Sequence, residues 1–327
     1  MMLWLNKLIL YKERLKMKIL GISAGRKNQK NDAMCKEALM GAQEVGADIE
    51  FIRLLDLDIE HCTGCIACVN ALMSGRGNMC ALKDDFDWLL DKMLDADGVI
   101  FANPIFEKGV PGIFQTITDR FGPRMDRGNN VIATKIAKEN GGKIPDPRIL
   151  KDKVVSYMGF GGSDWVTRMQ CDSAMQALTP AWKVIDNDIF PWSTDAVMND
   201  DTVARAHQIG VNLAKAAQDI ENAAYLGEEG ICPHCHSRNF FLDNQSTEAI
   251  CCLCGIKGDI KVVDGKVKFD FPEEQLEHAH DTLSGKFEHA GDIDETVKTF
   301  KKMLMSDEYK RRMSNYKKFI SATMPEK

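Results

Sequence analysis

From Met17 onward the chain repeats one unit: a short apolar run, a polar turn, then apolar residues three and four positions apart. "KILGIS", "DIEFIRLL", "GVIFANP", "KVVSYMGFGG" and "KVIDNDIFP" read as strands. "DAMCKEALMGAQEVG", "DDFDWLLDKMLDA", "GVPGIFQTITDRFG" and "TRMQCDSAMQALTPAW" read as the helices between them, and "DTVARAHQIGVNLAKAAQDI" as a closing helix. In the second helix Phe86, Leu89, Leu90 and Met93 form one stripe. Strands alternating with helices imply a parallel sheet covered on both faces. With right-handed crossovers, the expected fold is an α/β doubly wound sheet of five parallel strands ordered 2-1-3-4-5.

Composition narrows the class. The chain has 327 residues, 44% hydrophobic and 28% charged, enough for one sizeable core and a smaller module. Its formal charge of −6 argues against general nucleic-acid binding. No apolar run approaches the roughly 20 residues of a membrane span. "MMLWLNKLILYKERLK" has no small-residue cleavage site, and residues 1–16 read as an upstream start or disordered lead-in outside the fold, with a short docking helix or a weak membrane-surface segment as the alternatives. The eleven cysteines, mostly at short C-x-x-C spacings, then suggest metal or redox sites in a reducing cytoplasm.

Doubly wound sheets bind ligands at the carboxyl ends of their strands, and three loops meet there. "SAGRKNQKN" joins a strand to a helix, so its amides and the helix N-terminus favour an anion; Ser23, Asn28 and Asn31 add polar groups and Arg26 a charge. It matches neither G-x-G-x-x-G nor the lysine-bearing phosphate loop. "NPIFEKGVPGIFQ" offers Pro104, Ile105 and Phe106 as an apolar surface for a flat ring. In "GFGGSDW", Gly161 and Gly162 permit close backbone approach, and Trp165 either stacks on a ligand or caps the core. Together the loops point to a mononucleotide with a large ring.

"KILGISAGRKNQKN", "ANPIFEKGVPGIFQTITDR" and "SYMGFGGSDW" resemble the flavodoxin-like NAD(P)H-dependent FMN reductases, over about residues 17–222. The cysteine stretch "HCTGCIACVNALMSGRGNMCALKDD" is similar to that of their relatives, the iron–sulfur flavoproteins. The resemblance implies FMN, with its phosphate held by Ser23, Arg26, Asn28 and Asn31, its ring flanked by Pro104, Ile105 and Phe106, and Gly161 and Gly162 on the other side. It also implies NAD(P)H as electron donor and an unidentified acceptor. Two departures stand out: "SAGRK" lacks the family's proline, and Asp32 occupies the place of a small hydroxyl residue. A carboxylate there either repels a phosphate or points away as a first-turn residue.

Cys62, Cys65 and Cys68 can wrap one face of a [4Fe–4S] cluster with Cys80 as the fourth ligand, although its gap of eleven residues is longer than the compact family motif. Redox or zinc-binding thiols and a structural loop are the alternatives, and His61 reads as a surface polar residue. Residues 122–152 are too long for an ordinary crossover and read as a lid, a dimer arm or a solvated excursion. Cys232-x-x-Cys235 and Cys251-x-x-Cys254 have the spacing of a zinc ribbon over residues 223–269, with Cys252 pointing elsewhere and His234 and His236 unnecessary as ligands. "GDIKVVDGKVKFDF" reads as a hairpin with an Asp-Gly turn. Residues 270–327 read as a basic helical tail. Two functions compete: an FMN oxidoreductase, expected as a homodimer or higher homo-oligomer, and a flavin-bearing sensor that binds a partner or nucleic acid through ribbon and tail.

Overall fold

The computed structural model describes residues 17–325; the extension expected over residues 1–16 lies outside them. The chain divides into two compact units, one ending at Lys286 and the other beginning at Phe287. The first contains β1 (Lys18–Ser23), α1 (Lys30–Glu44), β2 (Asp48–Arg53), α2 (Ala67–Met73), α3 (Phe86–Asp95) and β3 (Gly98–Pro104). It continues with α4 (Gly112–Met125), α5 (Arg127–Asn140), β4 (Val154–Phe160), α6 (Met169–Leu178), β5 (Lys183–Phe190) and α7 (Asp200–Gln218). The five strands are parallel in the order β2-β1-β3-β4-β5, as the alternation predicts.

Side-chain alternation along the strands feeds two cores. Ile19, Ile100, Val154 and Met158 face α1 and α7. Those helices cross closely because Gly41 lies against the His207 carbonyl and Gly210 against that of Ala38, where any Cβ would collide. On the other face, Leu20, Ile22, Val99, Phe101 and Tyr157 meet the Phe86–Met93 stripe of α3, Phe114, Ile117 and Phe121 of α4, and Ala174 and Ala177 of α6.

Residues 122–152 include a packed helix. Gly122, at φ 36°, and Pro123 kink α4. The Asp126 side chain then caps α5 by accepting from the Asn129 amide at 2.8 Å. Asn130 donates to the carbonyls of Pro123, Arg124 and Asp126, satisfying groups around the kink. Ala133 and Ala137 bury the inner face of α5.

After α7 comes a four-stranded antiparallel sheet of β6 (Phe240–Leu242), β7 (Glu248–Cys251), β8 (Lys257–Val263) and β9 (Lys266–Asp270). Asp264 and Gly265, at φ 51° and 74°, make the expected hairpin turn. Cys232, Ala249, Leu253, Ile256 and Phe269 belong to the same hydrophobic cluster as the α6 face of the large sheet. The small sheet thus shares a core with the larger one.

Residues 273–278 form a short 3-10 turn before α8 (Leu283–Met305) and α9 (Asp307–Phe319). The first turn of α8 is fixed by the buried pair Lys286–Asp126 at 3.0 Å. No helix among the described residues is long and apolar enough to cross a membrane.

Candidate functional site

At the carboxyl edge of the sheet, the loops that leave β1 and β3 border a cavity of about 750 Å³. Its polar end is built by the turn from β1 into α1. Asp32 folds into this turn rather than away from it. It accepts from the Ser23 hydroxyl (2.7 Å), the Asn28 amide (2.7 Å) and Arg53 (3.1 Å). Its charge is therefore compensated by Arg53 on β2. The Ser23 hydroxyl in turn accepts from the Gly25 amide at 3.1 Å. Gly25 lies against Asn31, where a Cβ would collide.

This frame leaves Arg26, Lys30 and Asn31 on the cavity wall. The buried Asn31 Nδ2 has no hydrogen-bond partner in the structure. Lys30, which the sequence reading missed, donates to the Ser193 carbonyl at 2.9 Å. Burial lowers its pKa, against the opposing pull of Asp195. Two cations, an unspent amide donor and a helix N-terminus suit a phosphate.

The other end is apolar: Leu55, Pro104, Ile105, Phe106, Ile113 and Phe160. Phe106 is 62% exposed and starts a two-residue hairpin, exchanging backbone hydrogen bonds with Gly109 at 3.1 and 3.0 Å. Glu107 and Lys108, at φ 47° and 72°, make the left-handed turn that holds it. Gly162 also lines the cavity, whereas Gly161 packs beneath it near Ile105 and Val166. Trp165 is 61% exposed, so it does not cap the core; the Lys108 ammonium lies 5.0 Å from its ring centroid. Of the ten residues expected to contact a cofactor, Arg26, Asn31, Pro104, Ile105, Phe106 and Gly162 line the cavity. Ser23 and Asn28 brace the loop from behind. A phosphate end and a flat apolar end in one cleft fit FMN.

The cysteine loop follows β2. Ile66, at φ 51°, turns the chain into α2, a helix the sequence reading did not foresee, which carries Cys68. Burial raises the Cys68 pKa, reinforced by the nearby Cys80 and Cys62 thiols. Hydrogen bonds from the Ala67 amide and the Thr63 hydroxyl lower that of the exposed Cys65. Arg120 on α4 donates to the Cys80 sulfur at 3.6 Å and grips Asp84 through both guanidinium nitrogens at 2.6 and 3.1 Å. Burial opposes Asp84 ionisation, yet Arg120 and the amides of Glu60 and Phe86 hold its carboxyl below the usual range. His61 is tied to the Thr116 hydroxyl at 2.7 Å.

The second cysteine set is tighter. Among the described residues, Cys232, Cys235, Cys251 and Cys254 form the one group of three or more metal-ligating side chains whose donor atoms all lie within 4.8 Å of one another. The two knuckles repeat one geometry. The His236 amide donates to the Cys232 carbonyl at 2.9 Å, and that of Gly255 to the Cys251 carbonyl at 3.0 Å. Return bonds run from Cys232 to Ser237 at 3.0 Å and from Cys251 to Ile256 at 2.9 Å. His234 is held by Asp281 at 2.8 Å and His236 stacks on Tyr225 at 4.1 Å, so neither imidazole is needed as a ligand. Cys252 points out to solvent. This four-thiol centre can hold one metal ion.

A 2-1-3-4-5 sheet with a phosphate-and-ring cleft at its switch point defines a flavodoxin-like FMN protein. The chain belongs to the NADPH-dependent FMN reductase family, whose model matches residues 17–195. A solved structure named "flavone reductase" is 61% identical, covers 95% of this chain and all of its own, and superposes with a TM-score of 0.86. "Flavone synthase cfoJ" of Aspergillus candidus is 28% identical over 296 residues, 85% of this chain and 89% of that protein. An "Iron-sulfur flavoprotein" of Archaeoglobus fulgidus is 30% identical over 211 residues, 61% of this chain and 91% of its own. The chain is a flavin oxidoreductase of the NAD(P)H-dependent class, with FMN as its cofactor.

Proposed function

We propose that this enzyme takes reducing equivalents from NAD(P)H and passes them to a flavone. One observation carries the reading: a cationic, Asn31-lined end and an open apolar end rimmed by the exposed Phe106 share one cavity. The first suits the FMN phosphate; the second leaves a flat aromatic acceptor room beside the ring. The names of two relatives support the acceptor, since in one flavone is consumed by reduction and in the other it is formed. FMN, when bound, supplies the two-electron chemistry. The protein's part is to hold the phosphate with Arg26, Lys30 and Asn31, and to hold both rings against Pro104–Phe106. A flavone carries a carbon–carbon double bond conjugated to a carbonyl. Its net reduction adds one hydride equivalent and one proton, with NAD(P)H oxidised to NAD(P)⁺.

Anaerobic incubation with unsubstituted flavone and either nicotinamide should give a product two mass units heavier in step with NAD(P)H oxidation. Flavin bleaching by NAD(P)H with no change in the flavone would reject the acceptor while leaving the oxidoreductase assignment standing. Arg26→Ala should weaken FMN binding by roughly 1.5–3 kcal/mol, about 10- to 150-fold. Equal retention in flavin titrations would remove Arg26 from the phosphate site.

We also assign zinc to Cys232, Cys235, Cys251 and Cys254, because four convergent thiols in two knuckles suit a closed tetrahedral ion. Cys62, Cys65, Cys68 and Cys80 are proposed to carry a [4Fe–4S] cluster. The nearness of Cys62 and of Cys80 to Cys68 supports this, as do the Arg120 hydrogen bond to the Cys80 sulfur and the iron–sulfur relative. Anaerobically purified protein should then contain about one zinc and four iron per chain. Cys65→Ala should lose the iron alone.

A further inference from the structure

Beyond Lys286, α8 and α9 bury no residue among the described residues. Yet α8 carries Ala290, Ile293, Val297, Phe300 and Leu304, spaced alternately three and four apart. Phe300 and Leu304 are 46% and 41% exposed. Strict three–four alternation makes a narrow seam suited to a single facing helix, whereas a helix on a globular core carries a wider apolar stripe. A helix takes most of its stability from packing such a face.

We propose that this seam is a homodimer interface in which α8 packs antiparallel against α8 of a second copy. The charge order selects that occupant. Acidic residues gather in the first half of the helix and lysines in the second, and of these Asp294 and Lys301, directly after Ile293 and Phe300, flank the seam. Lys298 is paired within the helix to Asp294 at 2.7 Å and Glu295 at 2.9 Å. A two-fold axis between Val297 and Phe300 places Val297 opposite the partner's Phe300 and Ile293 opposite the partner's Leu304. Asp294 then flanks the partner's Lys301, and the symmetry repeats the contact on the other side. Parallel pairing would set Lys301 beside the partner's Thr296 and lose both contacts. An anionic membrane surface would face Asp294 beside the same seam. The sequence is thus complementary to itself in one orientation, and the inference does not depend on the identity of the acceptor.

The test uses the full chain with FMN and metal bound, examined by gel filtration with light scattering at micromolar concentration. Wild type should show twice the 36.6 kDa chain mass, or a larger even multiple. Val297→Glu combined with Phe300→Glu should halve that mass with FMN content unchanged; glutamate is a good helix former, so α8 itself should persist. Asp294→Lys and Lys301→Glu should each weaken association by about fivefold, and together should restore it. A monomeric wild type, or an unchanged mass in the Val297/Phe300 variant, would overturn the interface. Charge reversals with no effect alone, or no rescue together, would overturn the antiparallel arrangement. Loss of phosphatidylglycerol-vesicle binding in the Val297/Phe300 variant, with wild type monomeric, would reassign the seam to a membrane.

Discussion

Lys153 sits where β4 begins, fully buried, with its ammonium donating to the carbonyls of Leu94, at 2.7 Å, and Ala96. Burial pushes its pKa down from 10.5 to about 8. The folded state therefore binds this proton less tightly than the unfolded chain does. Stability should rise with pH between about 8 and 10.5, and the full deficit, on the order of 3 kcal/mol, is present below 8. Denaturation midpoints across that window should climb in wild type relative to Lys153→Met; parallel curves would show that Lys153 is not the group responsible. Lys153 drew no notice in the sequence, because nothing in "LKDKVVSYMG" shows which lysine turns inward. Arg26, Asn31 and Pro104–Phe106 were legible, since a polar strand-to-helix turn and an apolar Pro-bearing turn have local signatures. The role of Asp32 was not, because its neutralising partner Arg53 lies 21 residues away on another strand. Lys30 was missed for a simpler reason: the helix starts at Lys30, two residues before the position its pattern suggested.

At the scale of elements, the Arg120–Asp84 pair joins α4 to the segment leading into α3 and closes one side of the cysteine loop. Both side chains are buried, and Phe86 lies against the guanidinium at 4.6 Å. Removing one partner leaves the other charged and out of water, so Arg120→Met should cost about 3–5 kcal/mol. Arg120→Lys should recover only part of that, because an ammonium cannot form the two-pronged contact. Urea denaturation of the three proteins checks the order; a loss below about 1 kcal/mol for Arg120→Met would place the pair in solvent. The sequence marked "TDR" as family-like without showing what it holds, since its partners lie 36 and 40 residues upstream. The order of the five parallel strands and of α1, α3, α4, α6 and α7 was readable because each of these elements repeats its own period. The α2 helix escaped because it starts from a left-handed Ile66 after a Cys-Thr-Gly-Cys run that reads as loop. The α5 helix escaped because Gly122 and Pro123 look like an ending, whereas Asp126 and Asn130 restart the chain.

For the whole first unit, the four-thiol module shares its core with α6 instead of hanging from a linker. Removing its metal should therefore lower the main thermal transition of the enzyme rather than melt a separate small domain. Calorimetry before and after a strong chelator, under anaerobic conditions, distinguishes the two. An independent low-temperature transition with an unshifted main peak would show that the module is energetically detached. The connection also runs toward the cavity. Asn239, between the two knuckles, donates to the Thr167 carbonyl at 3.1 Å; the next residue, Arg168, gives its amide to the Lys108 carbonyl at 3.0 Å; and Lys108 closes the turn that presents Phe106. A metal held by the four thiols would thus act as the far bolt of a hinge plate whose near edge is the doorway. Loosening it should raise the KM for the acceptor more than it lowers kcat, because the phosphate seat proposed at Arg26 and Lys30 is bolted elsewhere.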